Sequence, residues 1–484
     1  MTSSERFSSR WGLIVSVVGI AVGTGNIWRF PRVAAANGGG SFLIPWVVFL
    51  FVWSIPLIIA EFALGKGTRF GPLGAFARVA GPKRAWMGGF VALVATAIMF
   101  YYAVVTGWCL RYLMLAVTGQ LLAIPDHHRD WLEFLDSGWQ PILFHLAALT
   151  LAAGIIRRGV VHGIEAANRF LIPSLLILII ASAARAVTLP GATRGLAYLF
   201  TPDLETLLDY QVWLQALTQN AWDTGAGWGL ILAYAVYMRE REDSTLNAAL
   251  IGLGNNSISL LAGIMIFSTV FALVPDQADE LIRTPGPANT GLTFIWIPKL
   301  FGLMPGGGFF AAFFFCALSF AALTSLISML ELATRFLVDL GLPRHRALPW
   351  VYLAAAVMGL PSALSTDFFL NQDWVWGIGL MVSGALIALA VRSYGVSRFR
   401  REMVNGQGSD FQVGRWYDVL VGWAVPAQVL ILVVWWFTLA LGWSESWWDP
   451  LATDSVGTCL FQWLAGAAVL ILFNGAMVRR LRQS

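Results

Sequence analysis

An all-α polytopic membrane protein is the expected architecture, and three observations require it. Of 484 residues, 58% are hydrophobic and 12% are charged, with a mean hydropathy of +0.70. A soluble domain carries about 25% charged residues, so half that quota cannot cover a water-facing surface. Apolar runs of the roughly 20 residues that a helix needs to cross hydrocarbon recur along the whole chain. They fall at 11–35, 41–64, 86–116, 139–157, 166–187, 210–237, 247–273, 306–338, 347–365, 371–394, 416–442 and 456–478, twelve spans in all. The third observation is where the charges lie.

With the N-terminus inside, the inner segments hold 23 Lys and Arg and the outer segments 6, while Arg29 and Arg32 fall within span 1. Short loops rich in Arg stay on the cytoplasmic side, so both termini are expected there. The net charge of +4 therefore reports topology. Only three of the 31 basic residues are Lys, and no basic stripe carries interleaved exposed aromatics, so nucleic acid is not an expected partner. The 23 Trp and 32 Phe exclude disorder. Cys109, Cys316 and Cys459 sit in apolar runs without a C-x-x-C spacing, which indicates neither a disulfide framework nor a zinc site. The first apolar run lacks a small-residue cleavage site and reads as a retained span.

Spans 1 and 6 are odd in corresponding places. Span 1 contains Gly19, Gly23, Gly25 and Asn26; span 6 contains Asn220, Asp223, Gly225, Gly227 and Gly229. Interrupted helices five spans apart point to inverted repeats around a midplane site. Small-residue helix packing is the alternative for the glycines, but Asn26 and Asp223 beside them favour a site, because polar groups in lipid are costly. An unwound segment bares main-chain groups. Carbonyls of Gly19, Ala21 and Val22 and the amide of Asn26 can offer oxygens to a hard cation, and half-helix N-termini can face an anionic substrate group.

The segment Gly23-Thr24-Gly25-Asn26-Ile27-Trp28-Arg29-Phe30-Pro31, followed by Asn37-Gly38-Gly39-Gly40-Ser41-Phe42, resembles the neurotransmitter:sodium symporter family. The resemblance runs from about residue 10 to the last span and is strongest in spans 1, 2, 6 and 8. It implies a LeuT-type fold: two inverted five-helix repeats (spans 1–5 and 6–10) plus two C-terminal helices, with spans 1 and 6 unwound at mid-membrane. The chain then divides into an N-terminal tail (1–10), a first repeat (11–187), an outer loop (188–209), a second repeat (210–394, with an outer loop at 274–305) and a C-terminal part (395–484). The family implies sodium-coupled uptake of amino acids or related amines by alternating access.

Carried over residue by residue, the resemblance implies two sodium sites. The first uses the Ala21 carbonyl, Asn26, Asp223 and Asn255. The second uses carbonyls of Gly19, Val22 and Ala321 and the hydroxyls of Thr324 and Ser325, although these hydroxyls can equally bond back to the preceding turn. The substrate carboxylate would meet N–H groups near Thr24 and Gly25 and the hydroxyl of Tyr102, whose alternative is an ordinary packing role. Ala21, Gly23, Ile98, Trp222, Gly225, Trp228, Ser325 and Met329 align with pocket positions. Monoamine members carry Asp where this chain has Gly23, which favours a substrate that brings its own carboxylate. Arg29 and Asp373 match the outer gate. Asp339 matches the acidic member of the inner gate, with Arg6 as its expected partner. Glu61 resembles a family Glu that braces the sixth helix.

Asp223 departs from the Ser or Thr usual at its position, and Trp46 replaces the Tyr that accompanies chloride, while Ser259 is retained. Two cations in a low-dielectric site need compensating charge, so Asp223 is expected to supply it and chloride to be dispensable. Structural hydrogen bonding alone, and substitution for the substrate's carboxylate, are the alternatives for Asp223.

The two pocket Trp residues, with Gly225, favour a small neutral substrate: glycine, alanine or an N-methylated glycine. Larger hydrophobic amino acids and amines stay open, as do a sensor or a channel on the same fold. An enzyme is not expected: only His145 lies in a span, and neither G-x-S-x-G nor H-E-x-x-H occurs. Animal members of the family usually carry long tails and a long glycosylated outer loop, whereas here the tail and the loop between spans 3 and 4 are short, so the resemblance implies a prokaryotic cytoplasmic (inner) membrane, with the protein as a monomer or homodimer.

Overall fold

The computed structural model describes residues 6–406, 409–443 and 445–482. Every regular element among them is helical. Among the described residues, ten spans are long and apolar enough to cross a bilayer: Gly40–Thr68, Pro82–Val117, Trp139–Ile156, Val160–Val187, Ser244–Leu273, Gly307–Asp339, Arg344–Leu364, Thr366–Tyr394, Trp416–Ala440 and Val456–Leu481. Span 1 is a broken pair, Arg10–Ala21 and Gly25–Ala36, bent by 52°. Span 6 consists of two shorter helices, Tyr210–Asp223 and Leu230–Ala235. With these two counted as one crossing each, the total is the twelve expected.

Local chemistry explains both breaks. In span 1, Val22 leaves the helix with extended backbone (φ −81°, ψ 99°), and a wide π-helical turn follows at Gly25–Arg29. In span 6, Gly225, Gly227 and Gly229 adopt φ of 72°, 90° and 74°. A residue with a Cβ is strained there, so alternate glycines carry the chain through six non-helical positions. Glu61 of span 2 holds the break open. Its carboxylate accepts from the N–H of Gly227 (2.7 Å) and of Leu232 (3.1 Å). The Gly227 N–H would otherwise bond the Asp223 carbonyl in a continuous helix. Diverting it frees that carbonyl.

Spans 3 and 8, the longest, pack together through the centre of the bundle, whereas span 12 lies at the periphery with Leu472 and Phe473 exposed. In lipid such an apolar surface is the solvated one. The segments at 188–209 and 274–305, read as loops, contain helices Ala192–Phe200, Ala278–Arg283 and Leu292–Gly302. These are too short for a length criterion tuned to spans. The first touches the end of span 1, where Tyr198 Oη donates to the Ala35 carbonyl (3.0 Å).

Candidate substrate and cation site

The two breaks face one cavity of about 520 Å³. Its wall includes Ala21, Gly23, Thr24, Gly25 and Asn26 from span 1 and Trp222, Asp223, Gly225 and Trp228 from span 6. Tyr102, Ser325 and Met329 complete the deep part, and Arg29, Asp373, Trp374, Trp443 and Asp454 line the shallow part. Ile98, expected in the wall, is fully buried and does not line the cavity. It lies one helical turn below Tyr102 and packs into the core between helices instead.

Four polar groups converge behind Gly25. Asn26 Oδ1 accepts from the Gly23 N–H (2.8 Å), and its Nδ2 donates to Asn255 Oδ1 and Ser259 Oγ, both at 2.7 Å. Asn255 Oδ1 also stands 3.0 Å from the Ala21 carbonyl and 2.9 Å from the Asp223 carbonyl. Turned over, the amide donates its nitrogen to both carbonyls, and that nitrogen then faces Asn26 Nδ2 at 2.7 Å. With its oxygen inward instead, the amide and the two carbonyls form a set of three oxygens, and such oxygens suit a hard ion.

Asp223 is buried at the same place. One carboxylate oxygen, Oδ2, accepts from Gln219 Nε2 (3.2 Å) and lies 3.5 Å from Ser259 Oγ, while Oδ1 has no hydrogen-bond partner among the described residues. Gln219, not anticipated, lies one turn before Asp223 on the same helix, and the i, i+4 spacing was its available signal.

Tyr102 closes the substrate end. Its hydroxyl accepts from the Thr24 N–H and Thr24 Oγ1, each at 3.2 Å. A methyl group on Gly23 would stand 2.9 Å from Ser325 Oγ and 3.2 Å from Tyr102 Oη, so any side chain there must displace the Ser325 hydroxyl. Trp222 and Trp228 meet edge to face, with centroids 6.1 Å apart. The Trp228 indole donates to the Ala221 carbonyl (3.1 Å), which fixes the ring in place.

The residues expected at the second sodium site lie outside the cavity wall, apart from Ser325. Gly19 and Thr324 are in contact range: a methyl on Gly19 would stand 3.4 Å from Thr324 Cβ. The Thr324 hydroxyl donates to the Ala321 carbonyl (3.0 Å), its own preceding turn. Val22 lies at the end of the first half-helix with its carbonyl outside helical register.

At the shallow end, Arg29 and Asp373 line the same cavity, but no ion pair within 4.0 Å joins them among the described residues. The Arg29 guanidinium lies 4.7 Å over the Trp222 ring instead. Arg32, another cation of the same wall, was noticed in the sequence without a role.

At the arginine-rich end, the expected Arg6–Asp339 pair is replaced. Arg6 approaches Glu240 (3.4 Å, both exposed), and Asp339 is 3.0 Å from Arg335, one turn earlier on its own helix. A partner at i, i+4 needs no long-range ordering, whereas Arg6 lies on the short tail. Phe7 takes the central place there. It is 3% exposed, with ring centroids 6.2 Å from Tyr234 and 6.4 Å from Tyr237. The tail is held by Phe7 N to the Tyr237 carbonyl (3.2 Å), by Arg239 to the Phe7 and Ser8 carbonyls, and by Ser8 N to Glu165 (2.8 Å). Beneath it, Glu331 accepts from Tyr237 Oη (2.7 Å) and pairs with Arg344 (2.6 Å). None of Glu165, Glu331 or Arg344 was expected there, because their roles depend on which helices meet.

Two interrupted helices facing one cavity define a secondary transporter of the LeuT type. The chain belongs to the sodium:neurotransmitter symporter family, whose profile matches residues 4–131 and 138–473. It is 34% identical over 452 residues to an uncharacterised sodium-dependent transporter of Methanocaldococcus jannaschii, covering 89% of each chain. It is 29% identical over 445 residues to an uncharacterised sodium-dependent transporter of Bacillus subtilis, covering 88% of this chain and 96% of that one. It is 27% identical over 503 residues to the sodium-dependent serotonin transporter of Drosophila melanogaster, covering 91% of this chain and 78% of that one. Among solved structures, MhsT in complex with L-phenylalanine superimposes with a TM-score of 0.80 at 29% identity, covering 89% of this chain and 99% of that chain. The protein is thus a multi-pass, sodium-dependent transporter and not an enzyme.

Proposed function

We propose that this protein imports a small neutral amino acid with sodium by alternating access, that glycine, alanine or an N-methylated glycine is the substrate, and that Asp223 makes chloride dispensable. The observation that carries this reading is a buried Asp223 carboxylate oxygen with no hydrogen-bond partner among the described residues, beside the Ala21 and Asp223 carbonyls and the Asn255 amide. Sodium at the first site takes Ala21, Asn26, Asp223 and Asn255, and a fixed carboxylate offsets its charge where a chloride ion would otherwise be needed. Sodium at the second site takes the carbonyls of Gly19, Val22 and Ala321 with Thr324 and Ser325.

The substrate carboxylate binds the main chain near Thr24 and Gly25 and the Tyr102 hydroxyl, with its remainder between Trp222, Gly225, Trp228, Ser325 and Met329. Closure brings Arg29 to Asp373 at the outer mouth. Opening at the other end releases Phe7 and separates the groups around Arg335–Asp339 and Glu331–Arg344. The arginine-rich end is cytoplasmic, in the inner membrane of a prokaryote, with the protein as a monomer or homodimer.

A second reading, a larger hydrophobic amino acid, is favoured by two observations. The similar structure MhsT is described in complex with L-phenylalanine. Gly225, Gly227 and Gly229 leave span 6 free to unwind further.

Uptake into proteoliposomes across a panel of labelled amino acids and amines tests both readings. Sodium is replaced by potassium in one arm and chloride by gluconate in another. Accumulation without sodium overturns the coupling. Loss of uptake in gluconate overturns the role given to Asp223.

A further inference from the structure

Asn168 of span 5 is fully buried, and neither polar atom of its amide has a hydrogen-bond partner among the described residues. Buried amides are paired as a rule, because burial without a partner is costly. Its surroundings say what the partner is. A methyl group on Gly19 would stand 3.4 Å from Asn168 Oδ1, 3.4 Å from Thr324 Cβ and 3.3 Å from Ile172 Cδ1. The amide of span 5 and the hydroxyl-bearing residue of span 8 therefore flank the same residue of span 1. Ile172, one turn further along span 5, offers no polar atom. Asn168 is the span-5 group that reaches this point with an oxygen.

We propose that Asn168 is a further residue of sodium site 2 and that its amide oxygen holds the cation from the span-5 side. The inference rests on the second sodium site proposed above, whose other donors all come from spans 1 and 8. It explains why a full amide is kept where a helix–helix contact needs only a small apolar side chain. Three helices then share the ion, so its departure loosens span 5 from span 1 as well as span 8 from span 1.

The test uses the full-length protein, purified, with two readouts. One is equilibrium binding of radioactive sodium. The other is the gain in melting temperature when sodium replaces potassium. Thr324→Ala tests the site itself, and Asn168→Leu, Asn168→Ala and Asn168→Ser test the amide. If the inference is right, Thr324→Ala weakens sodium binding, and Asn168→Leu and Asn168→Ala weaken it about tenfold, the lower end for losing a supporting group at a metal site. Asn168→Ser, which keeps an oxygen, loses less. The melting temperature in potassium is unchanged or higher in Asn168→Leu, since an unpaired polar group is gone, while the gain from sodium shrinks. The proposal is overturned if Thr324→Ala weakens binding but Asn168→Leu and Asn168→Ala stay within about twofold of the unmodified protein. Unchanged binding in Thr324→Ala would instead overturn the second sodium site, and this inference with it.

Discussion

The Asn255 side-chain amide lies 3.0 Å from the carbonyl oxygen of Ala21, and with its nitrogen turned inward it donates there. The two residues are more than two hundred positions apart, and the same amide nitrogen reaches the Asp223 carbonyl at 2.9 Å. Turned the other way, the amide presents its oxygen beside the two carbonyls, a set of oxygens suited to a hard cation. The Asp223 carboxylate is buried beside them.

Replacing Asp223 by Asn is expected to weaken sodium binding by about ten- to a hundredfold, because the ion loses its compensating charge while the main-chain carbonyl stays. Asp223→Ser goes further: uptake should return in chloride and fail in gluconate. Sodium-dependent uptake by Asp223→Ser that is equal in both anions would contradict the fixed-charge role. Parallel flux assays in the two buffers decide it.

Trp228 restricts the pocket through a ring anchored to the Ala221 carbonyl. Trp228→Phe removes that hydrogen bond and part of the ring volume. The accepted set should widen toward branched and aromatic amino acids, with weaker binding of the smallest ones. Competition against a labelled small substrate measures this, and an unchanged rank order would count against the size limit.

Glu61 supports the broken helix with two charge-assisted hydrogen bonds to main-chain N–H groups. Bonds of this kind contribute about 1.5–3 kcal/mol each. Glu61→Gln keeps one acceptor and places an NH2 group against the other donor, so a loss of about 2 kcal/mol is expected. It would appear as a lower melting temperature together with reduced uptake. Near-normal stability of Glu61→Gln would show that the break in span 6 holds itself.

The arginine-rich end separates strong from weak contacts. Arg6 and Glu240 are both exposed, and exposed pairs contribute about 0–1 kcal/mol. Arg6→Ala should leave stability and uptake nearly unchanged. Asp339 is fully buried beside Arg335, and removing one partner of a buried pair costs about 3–5 kcal/mol. Arg335→Ala should lower the melting temperature markedly. Phe7→Ala, which empties the space between Tyr234 and Tyr237, costs about 3–5 kcal/mol where the site cannot collapse. It should also raise labelling of a cysteine placed at Ser328, a buried residue of span 8 whose hydroxyl donates to Tyr234 Oη (3.1 Å). Comparable effects from Arg6→Ala and Arg335→Ala would restore Arg6 as the inner partner.

Much of this protein is written in short windows of its chain. Apolar run length set the spans within a few residues, because crossing hydrocarbon is a local requirement on some 20 consecutive positions. The breaks were legible for the same reason. Glycines with Asn26 and Asp223 in mid-span are local violations of helix chemistry, and Val22 and Gly225, Gly227 and Gly229 do leave the helix. The span-1 part of the cavity wall, Gly23 to Asn26 with Trp28 and Arg29, lies within one motif of consecutive residues.

The tertiary structure alone decided the pairings. It sent the Gly227 N–H to Glu61, put Gln219 on Asp223, gave Asp339 to Arg335 rather than Arg6, and turned Ile98 into the core. It also left the Asn168 amide beside Gly19 without a hydrogen-bond partner among the described residues. The reason is physical. A helix period tells which residues share a face, but which face meets which neighbour depends on the packing of twelve spans at once. Hydrogen bonds and ion pairs between helices are settled only by that packing.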